Sequence, residues 1–350
     1  MARILLTGAN GHLGANLLRR LLADGVAVRV LLRPGSDNST VDGLPVERVL
    51  GDLREPASLI AATRGCEAVY HCAAQIATVA GGAQEIFATN VLGTRNLLAA
   101  ARASGVSRVV VSGSLSAVGH RGDRPTDEEE PFNPFEPHLP YSISKAAVEH
   151  ECLKAAAEGL DVVIAVSCAI IGPNDFKPSR MGQVLLDYAN RRLRAYVPGG
   201  FEFVAARDIV EGHLLAMHKG RSGQKYIFST EFMTIDALLD LYAEIAGERK
   251  PWLRLPPPLM AAAAEIGERL HRWVAPARRP LITPAAVRLL RMGRRADIGK
   301  AQRELGYRPS SIAEAAREAY AWFLARGAIE RPRRAWGSGA PAADAEPRPS

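Results

Sequence analysis

A chain of 350 residues with 47% hydrophobic content carries enough apolar material to bury a core in one large or two modest domains, which excludes disorder over most of its length. The formal net charge of +7 comes from Arg and Lys interleaved with carboxylates rather than clustered, so no nucleic-acid partner is expected and a phosphate-bearing small molecule is the more economical anion. Cys66, Cys72, Cys152 and Cys168 form no C-x-x-C pair and have no His at ligand spacing, and no apolar run spans a bilayer, so a reduced, metal-free cytoplasmic protein is expected.

Residues 3–7, 26–32, 46–50, 68–72, 108–112 and 162–167 are short β-branched or Leu-rich runs separated by longer helical patterns. That alternation predicts repeated strand-helix-strand units, and so an α/β fold with a Rossmann-type doubly wound parallel sheet over residues 1–171. From residue 172 the pattern loosens into helical stretches near 181–193, 208–219, 234–247, 258–274 and 312–326, with short strands near Glu202 and Tyr226. Residues 172–328 are expected to form a smaller α+β substrate-binding cap, interleaved with the first domain, and the Pro/Ala/Gly-rich stretch 329–350 a disordered tail.

The first predicted strand runs into Gly8-Ala9-Asn10-Gly11-His12-Leu13-Gly14, followed by a helix with Leu17, Leu18, Leu21 and Leu22 on one face. Glycine has a mechanical task here. The strand must turn sharply, the backbone must approach a pyrophosphate closely, and the helix N-terminus then presents free N–H groups and the positive end of its dipole. The spacing is G-x-x-G-x-x-G rather than G-x-G-x-x-G, so the flanking strand and amphipathic helix carry the assignment. The second strand ends at Arg33 with no Asp or Glu at that point. An Arg there suits the 2′-phosphate of NADP, so NADP(H) is favoured over NAD(H); the competing readings are Arg33 as a solvated strand end and Asp37 as a partner that leaves NAD open. Asp52, with Leu53 beside it, either accepts a hydrogen bond from the adenine amino group or caps the helix beginning near Pro56. Cys72, Ala73 and Ala74 end the fourth strand with small residues that let a dinucleotide approach, or that simply pack.

Tyr141 and Lys145 stand four apart at the start of a helix, where positions i and i+4 share a face, so a phenol and an ammonium address one cleft. A free phenol titrates near about pH 10, but positive charge from Lys145 and an oxidised nicotinamide favours the phenolate, and Tyr141 can relay a proton while the cofactor moves a hydride. The fifth strand leads into Ser112-Gly113-Ser114-Leu115-Ser116 at the carboxyl end of the sheet, where open α/β folds bind ligands. Ser114 is the candidate to hydrogen-bond a reacting carbonyl oxygen, with Ser112 and Ser116 as rivals and a turn hydroxyl as the plainer reading.

Together these residues resemble the extended short-chain dehydrogenase/reductases of the NAD-dependent epimerase/dehydratase kind, and within them the dihydroflavonol 4-reductase and hopanoid-associated sugar epimerase group. The likeness covers about residues 2–328 and includes Gly51-Asp52-Leu53-Arg54, the stretch 90–98 from Asn90, the stretch 211–216, and Glu304-Leu305-Gly306-Tyr307-Arg308-Pro309. It implies that Tyr141 is the acid/base, that Lys145 holds the nicotinamide ribose and lowers the tyrosine pKa, and that Ser114 aligns with the catalytic Ser or Thr. It also puts Asn90 near cofactor or substrate, against the alternative of a helix residue that caps or faces solvent, and Ser112, Ser167 and Ile170 along the cofactor. Three departures narrow the group. Ser114 is followed by Leu115-Ser116 and not by the acidic pair of sugar-nucleotide dehydratases. The stretch 166–173 lacks the R-x-x-N motif of nucleotide-sugar epimerases, and Ser167 stands where close relatives place Pro.

The expected activity is therefore interconversion of a carbonyl and an alcohol on a small, apolar, natural-product or isoprenoid-like molecule. An epimerase that holds its NAD(P) tightly and a non-catalytic NAD(P)-binding regulator are the alternatives. Residues 173–181 and 201–208 are expected on the substrate side, with Arg207 as an anion grip or a surface ion pair and His120 as a proton-transfer aid or a bystander. Helices at 83–104 and 141–158 are those through which the resembled family forms homodimers, and they bury equally well in a monomer.

Overall fold

Val109, Val110 and Val111, like residues 162–166, are buried on both sides of their strands, which is the signature of a parallel sheet covered by helices above and below. The computed structural model describes residues 3–76, 82–132, 140–256 and 284–330. Strands β1 (Arg3–Thr7), β2 (Ala27–Leu32), β3 (Glu47–Leu50), β4 (Ala68–His71), β5 (Arg108–Ser114) and β6 (Val162–Ser167) alternate with helices α1 (His12–Ala23), α2 (Pro56–Thr63), α3 (Ala83–Phe87), α4 (Gly93–Ala103) and α5 (Pro140–Ala157). A π-turn, Ala88–Leu92, joins α3 to α4. The chain continues through β7 (Ala169–Ile171), α6 (Arg180–Ala189), β8 (Ala195–Tyr196), β9 (Gly200–Ala205), α7 (Ala206–Lys219), β10 (Lys225–Phe228), β11 (Glu231–Thr234), α8 (Ile235–Ala246), β12 (Leu253–Arg254), α9 (Pro284–Met292) and α10 (Ile312–Ala325).

Among the described residues the main sheet has seven strands in the order β10-β6-β5-β4-β1-β2-β3, all parallel. The expected doubly wound sheet is thus the observed one. Its order reverses between β1 and β4, which opens a crevice above their carboxyl ends. On one face Leu59, Leu97, Leu98, Val148 and Cys152 from α2, α4 and α5 pack on Val109 and Val111. On the other, Leu17, Leu18 and Leu21 of α1 and Ile209 and Leu214 of α7 pack on Leu6, Val30 and Val110.

The strand near Tyr226, grouped with the cap in the sequence, is β10 and extends the main sheet beside β6. A second core gathers α6, α8, α10 and the three-stranded sheet β11-β9-β7 around Phe203, Leu238, Tyr242 and Phe323. Ile329 is buried and the Glu330 N–H donates to Asn190 Oδ1, so the chain stays packed two residues into the expected tail. The expected helix at 258–274 and the remainder of the tail lie outside the described residues. Among the described residues no helix is long and apolar enough to cross a membrane.

The turn after β1 is tightly constrained. Gly8 has φ +78°, and a Cβ there would lie 2.5 Å from the Ala73 nitrogen; a Cβ on Gly14 would lie 2.2 Å from the Gly8 oxygen. Gly25 shares the left-handed backbone (φ +74°) but has open space around it. Gly8→Ala is therefore expected to lose stability by more than Gly25→Ala, by about 1–3 kcal/mol beyond it in urea unfolding, because strain and collision add. Equal losses would mean that the close approach to β4 relaxes freely.

Candidate active site

The glycine loop builds one wall of the crevice. Gly11 N–H donates to the Gly8 carbonyl at 2.9 Å, and α1 begins at His12 with Gly11 as N-cap, so no side chain caps it and its first turn holds no acid. The positive end of the helix is thereby left for an anion. Asn10 Nδ2 donates to Asn38 Oδ1 at 2.6 Å, and Leu13 packs into the sheet core. His12 Nε2 faces the Pro173 carbonyl at 3.0 Å, so Nε2 carries a hydrogen. Asn10 Oδ1 and His12 Nδ1 are buried without a partner among the described residues. Two unpartnered polar atoms beside an uncapped helix end fit a dinucleotide, whose ribose hydroxyls can donate or accept and whose pyrophosphate is the anion.

Arg33 is exposed just past β2, and its charge reaches Asp52 beyond β3. Asp37 spends one carboxylate oxygen on the Ser39 N–H at 3.0 Å and lies 3.8 Å from the Lys177 ammonium. Asp52 does not cap α2, whose N-cap is Glu55. Both of its oxygens take Arg54, at 2.9 and 2.6 Å, and this hydrogen-bonded pairing holds its carboxyl below the usual range. Leu53 is buried against Gly93, where a Cβ would lie 2.7 Å from it. Cys72, Ala73 and Ala74 form the opposite lip, half-buried, with the Cys72 thiol pushed up to about 11 by burial.

Ser114, Tyr141 and Lys145 come together at the carboxyl end of β5. The Tyr141 side chain shares a hydrogen bond with Ser114, and Ser114 Oγ lies 2.8 Å from Ser116 Oγ. Burial raises the Tyr141 pKa, with the Ser114 hydrogen bond acting in the opposite sense. Lys145, 6% exposed, donates from Nζ to the Ser112 carbonyl at 2.8 Å, and burial lowers it from 10.5 to about 8. Ser112 is thus present through its carbonyl. Its hydroxyl points away to His213 Nε2 at 2.8 Å, while His213 Nδ1 donates to the Ile209 carbonyl. Asn90 lies beneath the site with its amide committed: Oδ1 accepts from Gln75 N–H at 2.7 Å, and Nδ2 donates to the Gln75 carbonyl and to Ser144 Oγ, both at 3.0 Å.

Other expected positions fall at the margins. Ser167 pairs with Ser114 across the sheet and turns its hydroxyl to the Cys168 carbonyl; Ile170 borders a cavity of about 10 Å³ beside His12. Residues 173–177 are strapped to α1, since Asn16 Nδ2 donates to the Pro173 carbonyl at 2.9 Å and Phe176 lies under the Arg19 and Arg326 guanidinium groups. In 201–208, Phe203, Val204 and Ala205 are core rather than lining. Arg207 pairs with Glu314 and Glu318, not Asp208, so it takes the surface role. His120 Nδ1 sits 3.5 Å from the Thr126 hydroxyl.

A model of the NAD dependent epimerase/dehydratase family matches residues 4–228. The chain belongs to that family. Sterol demethylase protein B of Methylococcus capsulatus is 45% identical over 325 residues, covering 93% of this chain and 99% of its own. The 4-hydroxy-2-methyl-3-oxo-4-farnesyl-3,4-dihydroquinoline-1-oxide ketoreductase of Stigmatella aurantiaca is 33% identical, covering 87% of this chain and 91% of its own. The crystal structure of gox2253 superposes with TM-score 0.82 at 33% identity over 94% of this chain and 100% of that one. The protein is accordingly an NAD(P)-dependent enzyme of the extended short-chain dehydrogenase/reductases.

Sequence reasoning missed Thr7, His71, Thr94, Ser144 and His213, all buried polar groups next to the site. A His ending an apolar strand and a Thr four residues after an Asn were the available hints; His213, in a helix of mixed composition, gave none.

Lys145 supplies a pH test. The unfolded chain keeps the lysine proton to about 10.5 and the folded protein only to about 8, so between these values the unfolded state binds more protons and stability rises with pH. The stability of wild type relative to Lys145→Met, measured by urea unfolding without nucleotide, is expected to climb over that window. A flat difference would mean the buried ammonium is solvated.

Proposed function

We propose that this enzyme interconverts a ketone and a secondary alcohol on an apolar, isoprenoid-type molecule, sterol-like in size, using NADP(H). The observation that carries the reading is the meeting of Ser114, Tyr141 and Lys145 at the carboxyl end of β5. Bound nicotinamide supplies the hydride donor or acceptor. The glycine loop from Gly8 to Gly14 would hold the pyrophosphate, Arg33 the 2′-phosphate, and Lys145 the nicotinamide ribose through the ammonium hydrogens that Ser112 does not take.

Ser114 and Tyr141 hydrogen-bond the substrate oxygen. Because burial keeps the Tyr141 phenol protonated at neutral pH, it is poised to give that proton to the oxygen during reduction. In the oxidative direction it must first lose the proton, which the hydrogen bond with Ser114 favours. The names of two relatives, one a sterol demethylase protein and one a ketoreductase of a farnesyl-bearing quinoline, support the apolar substrate. Leu115 and Ser116 after Ser114, and the absence of R-x-x-N after β6, speak against dehydration and nucleotide sugars. Phe87, Leu92, Ile143 and Leu153, exposed along α3, the π-turn and α5, support a homodimer through that face.

In a nicotinamide-fluorescence titration, NADPH is expected to bind at least about tenfold tighter than NADH, with Arg33→Ala removing the difference, as expected for one charge-assisted phosphate contact. Turnover of a panel of sterol and terpenoid ketones should fall by about a hundredfold or more in Tyr141→Phe. If neither nucleotide binds, the oxidoreductase reading is wrong; if turnover leaves no net oxidised nucleotide, epimerisation replaces it. Sedimentation should give a dimer that Leu92→Glu with Leu153→Glu converts to a monomer. A wild-type monomer would reject the dimer.

A further inference from the structure

We propose that His71 is a positioning residue for Tyr141, acting through a one-directional hydrogen-bond chain from the end of β1 to the first turn of α5. This rests on the reading of Tyr141 as the acid/base. The direction follows donor by donor. Ser144 Oγ donates to the Tyr141 carbonyl at 2.7 Å and accepts from Asn90 Nδ2. The Asn90 carbonyl accepts from Thr94 Oγ1 at 2.5 Å. A threonine hydroxyl has one hydrogen. With that hydrogen on Asn90, Thr94 Oγ1 can meet His71 Nε2, 2.9 Å away, only as an acceptor. His71 therefore carries its hydrogen on Nε2, its Nδ1 accepts, and the Thr7 hydroxyl 2.7 Å away must donate to it. Thr7 Oγ1 in turn accepts from the Ala73 N–H at 3.3 Å.

Every side chain in this chain is buried, so a broken link leaves an orphaned polar group that water does not reach. A neutral imidazole suits the central place because it is rigid and has a donor at one edge and an acceptor at the other. Burial and the Lys145 charge push His71 down to about 3, which keeps it in that neutral form. Its two ends also hold the elements that matter. Thr7 immediately precedes Gly8 of the dinucleotide loop, and Thr94 grips the π-turn that presents Asn90 to Ser144. π-turns are frequent at functional sites, and here the turn is fastened from within by Thr94 and from beyond by Gln75. The nucleotide side and the acid/base side of the crevice are thereby built on one polar spine.

The test combines ¹⁵N-histidine NMR of the full-length protein, NADPH binding by fluorescence, and turnover of a sterol ketone, in wild type, Thr94→Val and Thr94→Ser. His71 is expected to be neutral with Nε2 protonated, a signature that requires no variant. Thr94→Val is expected to lose it and to lower kcat by about tenfold or more with NADPH affinity within about twofold, whereas Thr94→Ser keeps both near wild type. A proton on Nδ1, an unchanged kcat in Thr94→Val, a parallel loss of NADPH affinity, or a Thr94→Ser as impaired as Thr94→Val would each overturn the proposal. Failure of the underlying reading looks different: Tyr141→Phe then turns over as fast as wild type, and the positioning role falls with it whatever His71 shows.

Discussion

The hydrogen bond from the Lys145 ammonium to the Ser112 carbonyl, 2.8 Å long and buried, is the contact on which the geometry of the site turns. A buried charge is costly unless its donors are met, and one of the three ammonium hydrogens is met by a carbonyl near the end of the central strand. The bond fixes α5 against β5 and so fixes where Tyr141 stands relative to Ser114. Ser112 is held in its turn by His213 of α7, which comes from the opposite face of the sheet. Helices on both faces thus converge on one strand end.

This arrangement is stable because the surroundings are apolar and tightly packed. Val109, Val110 and Val111 run the strand through the middle of both cores before Ser112 breaks the apolar run. Two histidines, His71 and His213, both feel the Lys145 charge and are kept neutral by burial, at about 3 and about 4. Their neutrality matters electrostatically. A second positive charge in this low-dielectric space would drive the lysine proton off and weaken its grip on anything it holds.

Much of the fold was legible from the sequence because its signals are local. Short apolar runs separated by helical periods specify parallel strands, and the glycine loop and the Tyr141/Lys145 spacing follow from backbone geometry within a few residues. What escaped was long-range. β10 is four residues whose sheet is decided by pairing with β6, which no local pattern encodes. Asp52 read equally as a helix cap or an adenine partner, and the structure gave its carboxylate to Arg54, two positions away. The polar spine joins Thr7 to His71 across 64 residues and Asn90 to Ser144 across 54, separations at which residue types alone carry no pairing information. Ser112 shows the remaining limit: its hydroxyl drew notice in the sequence, but its carbonyl holds the lysine.

The central claim is that the site performs net reduction and oxidation at one carbon rather than a return transfer on tightly held cofactor. It is tested most directly with NADPH carrying deuterium at both C4 positions of the nicotinamide, incubated with a sterol ketone and followed by mass spectrometry. The account requires one deuterium on the carbinol carbon of the product, with one oxidised nucleotide released for each alcohol formed. Product free of deuterium, with the nucleotide pool still reduced, would contradict it.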